Sequence, residues 1–196
     1  DTQPRARELS LEPDPMPDDV VVTTAKTEEL TPSVREAIIA LCTAAFDEPD
    51  FLNLFTYVPS GGMHFLAYRG RELVSHAMVT ARWLQPAGLL ILKTAWVDAM
   101  GTAPTCQGRG YGSIVMRRLA EYAAGEYAIG GLQTERMGFY ARLGWEEWRG
   151  PLAGRGNEGL IPTPTQEGVM ILRLPGTPVF DLDTLLTIEC QTERIW

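Results

Sequence analysis

Six residues, Gln107-Gly108-Arg109-Gly110-Tyr111-Gly112, stand between an apolar segment and an amphipathic one, and they constrain the chain more than any other stretch. The preceding residues 89–100 follow a Pro86-Ala87-Gly88 turn and read as a long strand. The following residues 111–124 set Tyr111, Val115, Leu119 and Tyr122 along one side of a helix. Glycines at such a junction remove side chains, so that backbone N–H groups can close around an anion. The helix N-terminus adds unpaired donors and a partial positive charge. A pyrophosphate is the natural guest. A Walker A loop needs G-K-[ST], which does not occur in this sequence. A dinucleotide fingerprint needs G-x-G-x-x-G in an early βαβ unit, whereas this is a late G-x-G-x-G.

The other segments complete a mixed α/β sheet with helices on both faces. Residues 20–24, 64–68, 72–82, 127–132, 145–148 and 169–174 read as strands, and residues 184–190 as a terminal strand. Thr31-Pro32 opens a helix, with Thr31 as N-cap and Pro32 at the first helical position. Val34, Ile38, Leu41, Cys42 and Ala45 form its buried face. Residues 134–143 form a further helix that Gly144 stops. Residues 47–62 read as a surface loop with at most a short helix, and residues 150–168 as a polar Gly/Pro-rich loop. Residues 1–19, with Pro4, Pro13, Pro15 and Pro17, read as an extended or mobile arm, which leaves residues 20–196 as one domain.

A net charge of −8 argues against a phosphate-backbone partner, so no nucleic acid is expected. It would draw in a polyamine, although acidity also serves solubility. No apolar run approaches the roughly 20 residues of a membrane span, and no secretory signal is visible. Cys42, Cys106 and Cys190 are odd in number and widely spaced. They imply no disulfide framework and no metal site, and they favour a reducing, cytoplasmic setting.

The spacing Gln107-x-x-Gly110-x-Gly112 resembles the Q/R-x-x-G-x-G/A signature of the GNAT acetyltransferases. Further pieces are Gly61-Gly62-Met63-His64, Trp96-Val97-Asp98-Ala99-Met100 and Phe139-Tyr140-Ala141-Arg142-Leu143-Gly144-Trp145. Trp148-Arg149-Gly150-Pro151, Glu167-Gly168-Val169-Met170 and the final Trp196 join them. Together they resemble the aminoglycoside 2′-N-acetyltransferases over roughly residues 44–196. The resemblance implies acetyl-coenzyme A as cofactor. Met100, Gly101 and Thr102 would line its pantetheine arm, and Gln107, Gly108, Arg109, Gly110, Tyr111, Gly112 and Ser113 would surround its pyrophosphate. Asp98, Ala99, Gln133, Glu167 and Trp196 would face an aminoglycoside.

Amine acetylation needs a neutral amine, a polarised thioester carbonyl and a proton for the departing thiolate. Asp98 stands where the resemblance implies a water-mediated base, usually Glu and one methylene longer; the alternative role is to bind the substrate cation alone. Tyr140 is the implied general acid, against a core aromatic with a satisfied hydroxyl. Trp196 would offer its α-carboxylate to the substrate. The chain departs from the resemblance in its acids: residues 51–60 carry none, Thr165-Gln166-Glu167 is a reduced acidic run, and Glu193-Arg194 replaces a Gly-Asp pair. Fewer acids suit fewer amines, as in kasugamycin, whose carboxylate Arg194 could meet. The alternatives are a GNAT acting on a peptide, polyamine or other small amine, and a coenzyme A-binding module without catalysis. A homodimer is the expected assembly. His64 and His76 read as structural strand histidines and Cys106 as packing. Trp83, Trp96, Trp145 and Trp148 read as core or pocket walls.

Overall fold

The computed structural model describes residues 19–58, 60–191 and 195–196. The arm expected over residues 1–19 lies, Asp19 apart, outside the described residues, as do Glu193 and Arg194.

Strand β1 (Val20–Lys26) leads into helix α1 (Pro32–Phe46) and the short α2 (Leu54–Tyr57). Thr31 caps α1 by accepting from Val34 N–H at 3.4 Å, and Pro32 occupies its first turn, as its sequence requires. The antiparallel run β2 (Met63–Arg69), β3 (Glu72–Pro86) and β4 (Leu92–Thr102) follows. Helix α3 (Tyr111–Glu126) crosses to β5 (Ile129–Gln133), and α4 (Met137–Ala141) precedes the two-residue β6 (Glu146–Glu147). The chain ends through β7 (Leu152–Gly156), β8 (Gly159–Pro162), β9 (Val169–Arg173) and β10 (Leu186–Glu189).

The sheet runs β6-β9-β5-β4-β3-β10-β7-β8, with β1 and β2 attached to β3. The β4–β5 and β7–β10 pairs are parallel and the rest antiparallel. Strand β3 is long enough to pair with β2 along its first half and with β10 at its end. Alternation of side chains sends Phe65, Ala67, Val79, Ala95 and Val97 to α3, against Val115, Met116 and Leu119. Leu66 points the other way, onto Ile38, Leu41 and Cys42 of α1. Helices therefore cover both faces, as expected. Trp96 and Trp148 belong to a third apolar cluster around β10.

Two expectations need correction. Residues 150–168 hold the β7–β8 hairpin rather than a loop, because Asn157-Glu158 between two glycines makes a tight turn. Gly154 leaves room there for two side chains: a Cβ would lie 2.6 Å from Cys190 Sγ and 2.8 Å from Ile195 Cγ2. The terminal strand expected over residues 184–190 is β10, which inserts between β3 and β7. The helix expected over 134–143 keeps only Met137–Ala141, since Thr134 Oγ1 accepts from Arg136 N–H at 2.9 Å and holds the first residues in a turn.

The feature that positions the site is a break between β4 and β5. Their pairing ends at Trp96–Gly131, while β5 continues on β9 as far as Gln133–Val169. Pairing of β3 with β4 steps from Met78–Asp98 to His76–Gly101. Ala99 and Met100 thus face Ala77 alone, which is a β-bulge. Ala99 is driven to φ 50°, in the left-handed region. On the α1 face a buried chain runs from Thr27 Oγ1 to His64 Nε2 (3.1 Å), from His64 Nδ1 to His76 Nε2 (2.9 Å), and from His76 Nδ1 to the Ala99 carbonyl (2.9 Å).

Burial pushes His64 down to about 4, with the Arg35 charge adding to the effect and Glu28 opposing it. Burial and the neighbouring His64 push His76 down to about 3, against the Ala99 hydrogen bond. Below the ordinary histidine value of about 6.5 the unfolded chain therefore binds protons that the folded chain refuses. Stability should be full above that value and fall as the pH drops from it toward the lowered values. Melting curves between about pH 7 and about pH 5 check this; a level or rising melting temperature on acidification contradicts it. Gly168 has φ 70°, and a Cβ on it would lie 2.0 Å from the Thr134 carbonyl, so Gly168→Ala should cost on the order of 1–3 kcal/mol. Gly125 on α3 has no atom within 4 Å of such a Cβ, so Gly125→Ala should gain up to about 1 kcal/mol in the same denaturant titration. Equal effects of the two substitutions would contradict the close approach at Gly168.

Candidate active site

Where β4 leaves β5, a cleft of about 740 Å³ opens. Its walls are residues 97–102 of β4, Leu132 and Gln133 of β5, the glycine loop with the first turn of α3, and Phe139 and Tyr140 of α4. The end of α1 contributes Ala45 and Phe46.

The glycine loop is built as its sequence demands. Gly108 and Gly110 adopt φ 74° and 82°, which L side chains rarely take. Gly110 is the N-cap of α3, and no side chain among the described residues caps the helix. The first helical bond is Ile114 N–H to the Gly110 carbonyl at 3.1 Å. The N–H groups of Tyr111, Gly112 and Ser113 precede it, so none has a carbonyl of its own helix to donate to, and all three residues line the cleft. A Cβ at Gly112 would lie 2.7 Å from Met100 Cε and 3.2 Å from Thr102 Oγ1. The missing side chain at Gly112 leaves that space to the Met100 and Thr102 side chains of β4. Gln107 Nε2 donates to the Thr102 carbonyl at 3.2 Å and ties the loop to the strand. This cradle fits a pyrophosphate. Arg136 and Arg142 also line the cleft and supply positive charge.

Tyr140 is buried, 7% exposed, with its ring edge-on to Phe139 (4.9 Å) and Trp145 (6.0 Å). Burial pushes its hydroxyl up to about 12, opposed by the Arg136 charge, so Oη keeps its proton through the neutral range. Asp98 is half-buried at the last paired position before the bulge. The small Gly130-Gly131 pair beside it is dictated by the indoles: added Cβ atoms would meet Trp145 Cη2 at 3.1 Å and Trp96 Cε3 at 2.9 Å.

The cleft brings together Asp98, Ala99, Met100, Gly101, Thr102, Gln107, Gly108, Gly110, Tyr111, Gly112, Ser113, Gln133 and Tyr140 from the expected site. Arg109, Glu167 and Trp196 do not line it. Arg109 is exposed in the loop. Glu167 is exposed one residue before Gly168, whose carbonyl accepts from Thr134 N–H at 2.9 Å. Trp196 rests against Trp96 with ring centroids 6.3 Å apart, and its Nε1 donates to Thr163 Oγ1 at 2.9 Å. Sequence reasoning missed Phe46, Glu48 and Phe51, from the end of α1 and the segment after it. Phe46 and Phe51 stack at 4.6 Å and 18°, forming an aromatic wall. It also missed Glu135, Arg136 and Arg142, although Arg136 and Tyr140 lie four apart, a spacing that the helical pattern offered.

Among the described residues no group of three or more His, Cys, Asp or Glu could hold a metal, and Cys42, Cys106 and Cys190 are all free thiols. No helix among them is long and apolar enough to cross a membrane.

The Acetyltransferase (GNAT) domain family matches residues 26–148. The fold is similar to that of a GNAT family N-acetyltransferase (YhbS) from Escherichia coli solved in complex with CoA, with TM-score 0.58 and 13% identity over 92% of this chain and 93% of that one. It is similar to Escherichia coli ElaA at TM-score 0.57 and 16% identity, over 79% of this chain and 99% of that one. Eis1 from Mycobacterium abscessus gives TM-score 0.59 and 18% identity over 68% of this chain and 33% of that one, so this chain spans about a third of that protein's length. Such identities speak to the fold alone. The family match takes in the bulged strand, the glycine loop and Tyr140, and the chain belongs to the GNAT acetyltransferase family.

Proposed function

We propose that this chain transfers an acetyl group from acetyl-coenzyme A to an amine of a small cationic acceptor, and that the acceptor is an aminoglycoside acetylated at its 2′-amino group. The observation that carries the reading is the meeting of Asp98, Tyr140, the open edge of β4 and the uncapped start of α3 in one cleft. Acetyl-coenzyme A supplies an activated acetyl group. The N–H groups of residues 111–113 and the Arg136 and Arg142 charges hold its phosphates. The open edge over residues 100–102 offers backbone donors to its extended arm and to the thioester oxygen.

Asp98 attracts the acceptor ammonium and takes its proton, directly or through water. Tyr140 Oη, kept protonated by burial, delivers a proton to the thiolate when the carbon–sulfur bond breaks. The acyl carbon gains the amine nitrogen and loses sulfur, and the second proton that the nitrogen sheds on becoming an amide restores Tyr140 Oη, so no covalent enzyme intermediate is needed.

The 2′-amino aminoglycoside is favoured by the motifs Gly61-Gly62-Met63-His64 and Phe139-Tyr140-Ala141-Arg142-Leu143-Gly144-Trp145. Glu48 and Glu135 join Asp98 in the cleft, and these acids suit a cation. Their small number favours a substrate with few amines, as in kasugamycin. The stacked Phe46–Phe51 wall favours, as a second reading, a small amine with an apolar face.

A thiol-release assay with 4,6-linked and 4,5-linked aminoglycosides, kasugamycin and simple polyamines, with the acetylated position read by mass spectrometry, tests the acceptor. Turnover with 2′-acetylation is the expected result; turnover of polyamines alone would replace the aminoglycoside by another amine. Tyr140→Phe should lower kcat about a hundredfold while coenzyme A affinity stays within about threefold. Unchanged turnover would remove Tyr140 from the proton transfer.

A further inference from the structure

The buried histidine chain behind the bulge has no part in the steps above, yet its geometry admits one direction only. The Ala99 carbonyl can only accept, so His76 Nδ1, at 2.9 Å, carries a proton. Cys42 Sγ donates to the same carbonyl at 3.7 Å. Both rings are 0% exposed, and a buried, unpaired imidazolium is disfavoured. A neutral His76 with its proton on Nδ1 must accept at Nε2, so His64 Nδ1, at 2.9 Å, is a donor. His64 Nε2 must then accept from the Thr27 hydroxyl at 3.1 Å. Thr27 has a single hydroxyl proton; the Gly62 carbonyl also lies within hydrogen-bond distance of Oγ1, at 3.2 Å, but already accepts from Thr27 N–H at 2.9 Å, so the proton goes to the nitrogen that has no other donor. The chain ends on an amide carbonyl, which does not take up protons, so it cannot act as a proton conduit. It can only hold.

What it holds is the Ala99–Met100 peptide. No peptide bond is cis among the described residues, so Met100 N–H points opposite to the Ala99 carbonyl and away from the histidines. Met100 lines the cleft. We propose that His76, oriented by His64 and Thr27, is a positioning residue that aims the Met100 N–H at the acetyl group. This rests on the acetyl-transfer reading above. The pinned peptide stands at the residue whose left-handed φ opens the sheet, so a rotation of that one plane would take the donor out of the cleft.

Long-range proton–nitrogen spectra of histidine-labelled wild type read the first step without turnover. Both rings should be neutral with the proton on Nδ1; a proton on His76 Nε2 overturns the inference. The second step compares acetyl-coenzyme A with coenzyme A by calorimetry, and steady-state rates, in His76→Leu and His76→Asn. Asparagine keeps a donor near the Nδ1 position. His76→Leu should lose the binding difference between the two ligands and about tenfold or more in kcat, with KM for acetyl-coenzyme A within about threefold. His76→Asn should recover most of both. Wild-type values in His76→Leu, or no recovery in a folded His76→Asn, overturn the inference. Where His76→Leu does not fold, Thr27→Val replaces it: it should shift the His64 tautomer and lower kcat, and a change in neither contradicts the chain. A wild type that binds no acetyl-coenzyme A would overturn the acetyl-transfer reading and this role with it, while the proton positions would still report the hydrogen-bond direction.

Discussion

One peptide plane in the middle of the sheet, that between Ala99 and Met100, is the constraint on which the site depends. A continuous sheet would satisfy both edges of β4 and leave no place for a ligand. The bulge sets two residues of β4 against one of β3, and beyond Trp96 the strand parts from β5. Holding an alanine at φ 50° costs on the order of 1–3 kcal/mol. A single hydrogen bond returns about 1 kcal/mol. The conformation therefore persists because several features determine it together: pairing with β3 on both sides of the bulge, the His76 and Cys42 contacts to the carbonyl, and α3 packed against Met100.

The rest of the fold serves that opening. The glycine loop brings the start of α3 against β4, and Gly112 leaves space there for the Met100 and Thr102 side chains. Helix α4 brings Tyr140 to the same gap, anchored by Trp145 lying over Gly130. The third apolar cluster, where Arg82 bonds Glu189 Oε1 at 2.6 Å and the Ile195 carbonyl at 2.6 Å, fastens the end of the chain beside Trp96. A long-range array of this kind fixes the far half of the sheet without entering the cleft.

Much of this was legible in the sequence because it is local. Thr31-Pro32 starts a helix, two positive-φ glycines precede another, and Ile38, Leu41 and Cys42 share a face, all within a few residues. The residues of β4, the loop and α4 that the resemblance singles out line one cleft, apart from Arg109, while Glu167 and Trp196 lie outside it. What was not legible depends on distant partners. Strand β7 looks unlike a strand because Leu152-Ala153-Gly154 owes its conformation to β10 and to Cys190 and Ile195 packed on its glycine. The placement of Phe46, Phe51 and Glu48 follows from how α1 lies on β4, which no periodicity reports. The histidines read as structural; that they meet each other and the bulge carbonyl needed the register of β2, β3 and β4.

The most direct test of the central claim is an amide nitrogen–proton titration of the wild-type chain with coenzyme A. The account predicts the largest shifts at residues 100–102 and 108–113, with the β7–β8 hairpin unmoved. Shifts centred away from the open edge of β4, or none at saturating ligand, would contradict it.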